Sequence, residues 1–330
     1  MATDDFQVRD DLQFTHPPAR MFGHCADCAA GRCMPPVWRG RRLFTGLLGA
    51  AALLPAWARE GVDVGPKSKF TGFVSADELE QAGAQQYAQM MREAGQQRAL
   101  APMEHPQAQR LRYIAQRIIP FSYEWNDRAQ QWKWEVNLLA STQLNAFCMP
   151  GGKIAFFYGI LDKLKLEDDE VAAIMGHEVA HALREHARER VGKSAATNAV
   201  VEIGSALLGL GNVGRSLAGM GAQLVNLRFS RDDESEADLV GIELSARAGY
   251  DPSAAVRLWE KMMAANKGAP PQWLSTHPAS STRIRDIQAN LPKVEGLYQR
   301  ASKPDQRFPV APPLPTRSRP AGTTNVPAGS

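Results

Sequence analysis

The chain has 330 residues, of which 44% are hydrophobic, and its 38 lysines and arginines against 35 aspartates and glutamates leave a formal net charge of +3. A balance this even lacks the excess that nucleic-acid binding or a polybasic membrane anchor requires, so neither partner class is expected. No internal repeat is evident, and about 240 residues between the two ends suffice for one domain with a sizeable core.

Near the N-terminus, Arg39-Gly40-Arg41-Arg42 precedes an apolar run from Leu43 to Leu54, and Ala56-Trp57-Ala58 offers small residues two apart. This is the layout of a cleaved secretory leader, with a mature start at Arg59. Arg41-Arg42-Leu43-Phe44 also fits a twin-arginine signal, so the export route stays open. The leader begins late, and Met34 would make an ordinary start. His24, Cys25, Cys28 and Cys33 resemble a small zinc knuckle but lie upstream of the cut, which leaves Cys148 as the mature chain's single thiol, with no internal disulfide. Residues 1–58 are therefore set apart from a domain at 59–300.

Trp132 to Leu139 has the aromatic and branched residues of a strand, and Asn145 to Phe157 reads as a second, interrupted by Pro150-Gly151-Gly152. An ordinary core hairpin would have the same pattern. Next comes His177-Glu178-Val179-Ala180-His181. Two histidines four apart share one helical face, so both imidazoles can hold one metal ion, and Glu178 is placed to act as base. Acids at Glu167 to Glu170 suit a helix start, and Val171, Ile174, Met175, Val179, Ala182 and Leu183 recur at helical spacing. His186, nine residues after His177, is expected on the opposite, solvated face.

Ala195 to Leu227 is rich in Gly, Ala, Leu and Val but interrupted by Glu202 and Arg215. It suggests a helical lid, or else a segment in contact with a membrane surface, rather than a membrane span. Ser230 then caps a helix on which Glu234 and Asp238 share a face. One carboxylate can bind metal while the other accepts the free ring N–H of a metal-bound histidine, His177 for Asp238. Glu236 competes for the ligand role from about 200° round the helix. Gly249-Tyr250-Asp251-Pro252 separates two helices, a last helix carries Arg283 to Leu291, and residues 301–330, with seven of the 22 prolines, read as a disordered tail.

Four motifs occur in the order and spacing of one family: Asn145 to Ile154, Gly176 to His181, Ser230 to Asp238, and Thr276-His277-Pro278 with Arg283. The chain resembles metallopeptidase family forty-eight, the gluzincins of HtpX-like and CAAX-prenyl-protease-like type, over about residues 70 to 292. Its nearest likeness is to periplasmic members in outer-membrane quality control. The resemblance implies a mainly helical α+β zincin-like domain with a small sheet whose edge strand flanks the active-site helix. It implies one zinc ion per chain on His177, His181 and Glu234, Glu178 as general base, and Asp238 behind a ligand. His277 and Arg283 are implied beside the metal, stabilising the oxyanion, with His277 alternatively blocking the open position. Asn145, Ala146, Phe147, Gly151 and Gly152 would hold an extended substrate by β-addition.

The implied function is zinc-dependent endopeptidase action on unfolded or misassembled envelope proteins in the periplasm, through a zinc-activated water. Two other readings stay open. One is a chaperone-like binding module with latent cleavage, and the other is a protease associated with the membrane or with outer-membrane assembly machinery.

Overall fold

The structure is a computed structural model that describes residues 59–207, 228–265, 272–278 and 280–313. The leader and most of the 195–227 segment lie outside the described residues. After a 3-10 turn at Lys69–Phe73 come α1 (Ala76–Gln96) and α2 (Pro106–Ile118), then three strands, β1 (Glu135–Leu139), β2 (Ala146–Met149) and β3 (Lys153–Phe157). Helices α3 (Tyr158–Lys163), α4 (Asp168–Leu183), α5 (His186–Leu207), α6 (Arg231–Arg247), α7 (Ala254–Ala265), α8 (Gln272–Thr276) and α9 (Ser281–Arg300) complete the described chain. The domain is thus mainly helical with one small sheet, the α+β class expected. No helix among the described residues is long and apolar enough to cross a membrane.

The sheet has the order β1-β3-β2, with β1 parallel and β2 antiparallel to β3. The hairpin between β2 and β3 turns at Gly151 (φ 84°) and Gly152 (φ 77°), which lie in the left-handed region. A Cβ on Gly152 would meet Trp134 Cδ2 at 2.7 Å, so the second glycine also makes room for that indole. Strand β1 is shorter than the sequence suggests. Trp134 turns its Nε1–H to Ala129 O (3.0 Å), so Trp132 and Trp134 form a buried aromatic pair ahead of the ladder. One face of the sheet is covered by α1, where Tyr87 and Met91 pack on Leu139, Phe147, Met149 and Ala155.

Helix α4 is almost wholly buried. Its acidic start behaves as the sequence predicts, with Glu170 accepting from the Glu167 N–H (2.8 Å). Asp168 is gripped twice, by the buried Arg110 Nε (2.6 Å) and by the Phe308 N–H (2.9 Å). The second grip comes from a stretch expected to be disordered. Residues 301–313 have no regular structure but lie as a strap, with Pro309 O accepting from Gln107, Pro312 O from Tyr158, and Ala311 buried. Composition misleads here because the proline-rich strap is held by hydrogen bonds to its carbonyls, which proline retains. Helix α9 also exceeds expectation, running past Leu291 through Pro292 to Arg300.

Helices α4 and α6 touch backbone to backbone. A Cβ on Gly176 would meet Gly241 O at 2.7 Å, and one on Gly241 would meet His177 N at 2.8 Å. Ser245 Oγ adds a bond to Ala172 O (3.2 Å). Only glycines permit this approach, and it occurs beside the first motif histidine. Gly241→Ala is expected to lower stability by about 1–3 kcal/mol through overpacking, measured by urea unfolding. Gly72→Ala, whose Cβ would have nothing within 4 Å, should change it by less than about 0.5 kcal/mol. Equal effects would contradict a tight crossing.

Candidate metal centre

The four residues His177, His181, Glu234 and His277 come from α4, α6 and the turn after α8, and each offers a ligand atom within 4.8 Å of the others. All four are buried. His177 and His181 turn Nε2 to a common point, 3.1 Å apart. His277 Nδ1 lies 3.2 Å from His177 Nε2 and 2.9 Å from Glu234 Oε1, which in turn stands 3.5 Å from His181 Nε2. Glu234 Oε2 touches Arg283 Nη1 at 2.6 Å without an aligned hydrogen bond, so a buried carboxylate oxygen keeps its acceptor capacity toward the cluster. Three imidazole nitrogens and a carboxylate converging in a buried site repel one another unless a cation or protons intervene, and this donor set fits a divalent metal ion.

Each α4 histidine is oriented from behind. His177 Nδ1 bonds to Asp238 Oδ1 (3.0 Å), as its place one turn after Glu234 predicts. Asp238 is itself held by Arg283, whose Nε and Nη2 donate at 2.7 and 2.6 Å, and by Trp259 Nε1 at 3.3 Å. The equivalent partner of His181 is His186, buried rather than solvated, with the two Nδ1 atoms 2.8 Å apart. His186 Nε2 then reaches Glu236 Oε2 (3.3 Å). Straight-helix phasing fails for His186 because α4 ends at Leu183, the chain turns at Glu185, where φ is +61°, and α5 restarts at His186. Glu236, the competing ligand candidate, therefore has a different task. It supports His186 and pairs with Arg184.

Electrostatics match this division. Burial, with the neighbouring His177, His186 and His277, pushes the His181 imidazole well below its usual range, which favours the neutral, metal-binding form. For Glu234, burial acts upward but the charges of His277, His177 and Arg283 outweigh it, and the carboxyl ends below its ordinary value. Asp238 is lowered likewise, burial being overcome by Arg283 and His177. His277 is raised, since Glu234 and Glu178 overcome its burial.

The guanidinium of Arg283 stacks 3.7 Å over Trp259, donates to Asp238 and Pro278 O and pairs by charge with Glu234, so it neutralises the two buried acids. Glu178 Oε1 accepts from Trp273 Nε1 (2.7 Å) and lies 3.6 Å from His277 Nε2. Trp273 and Phe229, which stacks 4.0 Å from His181, were not singled out from sequence. Trp273 could have been, since it stands four residues before His277, one helical turn away.

The residues expected at the substrate strand divide. Ala146 lies on β2, one of the sheet's two edge strands, and the side-chain oxygen of the preceding Asn145 accepts from the Ala146 N–H (3.0 Å). Phe147 points away into the α1 cluster, against Tyr87, and Gly151 and Gly152 are buried turn residues. The thiol of Cys148 is pushed well up by burial and the Glu178 carboxylate, which keeps it neutral and unsuited to nucleophilic attack. His186→Ala is expected to weaken divalent-metal binding by about 10- to 100-fold, measured by competition with a chromophoric chelator. Unchanged affinity would show that His186 does not orient His181.

Comparison with known proteins agrees with this geometry. Residues 106–291 match the model of peptidase family M48. The chain is 35% identical to the mitochondrial metalloendopeptidase OMA1 of Schizosaccharomyces pombe, over 72% of this chain and 67% of that protein. It is 29% identical to metalloprotease LoiP of Escherichia coli, over 62% of this chain and 78% of that one. With the β-barrel assembly-enhancing protease of E. coli the identity is 28%, over 50% of this chain but only 36% of the relative. The match spans more than half of the chain and includes all four cluster residues together with Glu178, Asp238 and Arg283, so the chain belongs to peptidase family M48, a family of metalloendopeptidases.

Proposed function

We propose that the chain is a zinc endopeptidase that cuts unfolded or misassembled proteins, with Glu178 as general base. The observation that supports this most directly is the convergence of His177 Nε2, His181 Nε2 and the Glu234 carboxylate, with Glu178 one residue along α4 from the first ligand. A zinc ion held by His177, His181 and Glu234 would polarise the scissile carbonyl and acidify a water molecule in the site. Glu178 Oε1 takes the proton of the attacking water and returns it to the leaving amine nitrogen. Asp238 and His186 hold the tautomers that keep both Nε2 atoms unprotonated and inward. The edge strand offers backbone groups to an extended peptide of any sequence, which suits clients that have lost their fold.

A second reading has its own observation. His277 stands within the ligand cluster and Trp273 holds Glu178, so the arrangement is closed to substrate. Trp273 N–H donates to Leu144 O (3.0 Å) and Arg228 Nε to Ser275 O (2.9 Å), tying α8 across the cleft. A resting state of this kind favours His277 as a latch, and it would let the chain bind clients while cleavage stays latent. Opening then requires α8 and His277 to leave together. The closed arrangement supports the latch over oxyanion stabilisation, because His277 Nδ1 bonds to a proposed ligand, Glu234, on the cluster side.

A domain start at residue 59, export to the periplasm and contact with membrane or assembly machinery are proposed from the leader-like sequence and from the β-barrel assembly-enhancing relative. Glu178→Gln should abolish casein cleavage with metal content unchanged. His277→Ala should cleave faster than the parent. Retained cleavage in the first variant would overturn the base assignment, and slower cleavage in the second would return His277 to the oxyanion role.

A further inference from the structure

Beside the metal cluster, the β2 edge of the sheet borders a narrow cleft that is partly open to solvent. Leu79, Trp132, Cys148, Met149, Ala187 and Phe229 form its walls, and His181 stands at its inner end. Leu79 and Ala187 pack together and close the far side. The charges at the rim are already paired: Glu80 accepts from Arg128 Nε (2.8 Å) and Trp132 Nε1 (3.0 Å), and Glu185 from Arg188 Nη1 (3.1 Å). Cys148 contributes a neutral thiol, which behaves as a small apolar wall. A charged occupant would find no counter-charge here that is not already engaged.

The ladder sets how a peptide would enter. Phe157 N–H bonds to Asn145 O and Gly152 N–H to Met149 O, so Asn145, Phe147 and Met149 turn inward to β3, while Ala146 and Cys148 turn their carbonyls to the edge. Leu144, in the same outward phase, is the residue whose carbonyl receives Trp273 N–H. Helix α8 thus covers the edge at its Leu144 end. No described element pairs with it at the Cys148 end. Antiparallel pairing is the more stable per residue, so an added peptide runs from the Cys148 end toward Leu144. Its residues before the scissile bond then lie over the cleft.

We propose that this cleft is a specificity subsite that takes an apolar side chain of the substrate on the N-terminal side of the scissile bond. The assignment rests on the endopeptidase reading, and it makes apolar residues, which folded proteins bury and unfolded ones expose, the feature that marks a client. Cys148 and Leu79 act as specificity residues, shaping the wall without touching the reacting atoms.

The test uses the full chain loaded with zinc and fluorogenic peptides carrying Leu, Ala or Asp at each of three positions on either side of the cut. The parent protein should favour Leu over Asp by about tenfold or more in kcat/KM at one position N-terminal to the cut, chiefly through KM. Cys148→Phe should bring the Leu-to-Ala ratio toward one by filling the cleft, and Leu79→Ala should shift the preference toward Phe by enlarging it. A second measurement is independent of cleavage. In full-chain zinc-loaded Glu178→Gln protein, calorimetry should show the Leu peptide binding several-fold tighter than its Ala counterpart, and Cys148→Phe in that background should remove the difference. Tighter binding of the Leu peptide without any cleavage by the parent or by His277→Ala would sustain the subsite and overturn the hydrolytic reading. Cleavage without a preference on that side, or equal binding of both peptides, would overturn the subsite.

Discussion

The glycine contact between α4 and α6 is the constraint on which the centre depends. With Gly176 against Gly241, the two backbones come close enough for a side chain as short as aspartate to reach His177 from the neighbouring helix. Glu234, one turn earlier on α6, then extends to the His177 and His181 nitrogens. Side chains larger than glycine at the crossing would hold the helices apart and carry both carboxylates away from the metal position. The proximity costs desolvation of two acids. Arg283 offsets it by a two-pronged pair with Asp238 and contact with Glu234, all three residues being buried.

The same economy explains why the centre recruits residues from so many places. Asp168 at the start of α4 is fixed by Arg110 from α2 and by the C-terminal strap, so the helix that carries both histidines is anchored at its N-terminal end. At its other end, the turn at Glu185 swings His186 back beneath His181. The two histidines on α4 therefore have matching supports of different chemistry. Asp238 acts directly on His177, and Glu236 acts on His181 through an intervening imidazole.

Much of this was legible in the sequence because it depends on local periodicity. His177, His181, Glu234 and Asp238 lie on regular helices, so spacing alone predicts which face each occupies, and the capping residues Ser230 and Glu170 mark where two of those helices begin. His186 was misplaced because one residue with positive φ resets the helical phase, and nothing in the letters Arg184-Glu185 announces it. Arg283 was found by motif, but its bonds to Asp238 and Glu234 depend on how α9 packs on α6, a tertiary fact. The strap was missed because prolines predict an absence of regular structure, which is true of 301–313, and not an absence of fixed contacts.

Helix α8 joins these parts into one account. It brings Trp273 to Glu178, His277 to Glu234 and its own N–H to the strand edge, so a single short segment touches the α4 carboxylate, the buried cluster and the sheet edge at once. The central claim, that His277 shares the metal with the α4 histidines and Glu234 in the resting protein, is tested most directly by zinc-edge X-ray absorption on the parent and on His277→Ala. The account predicts a shell of nitrogen and oxygen with three imidazoles in the parent, falling to two in the variant. A shell dominated by sulfur, or an imidazole count that the substitution leaves unchanged, would contradict it.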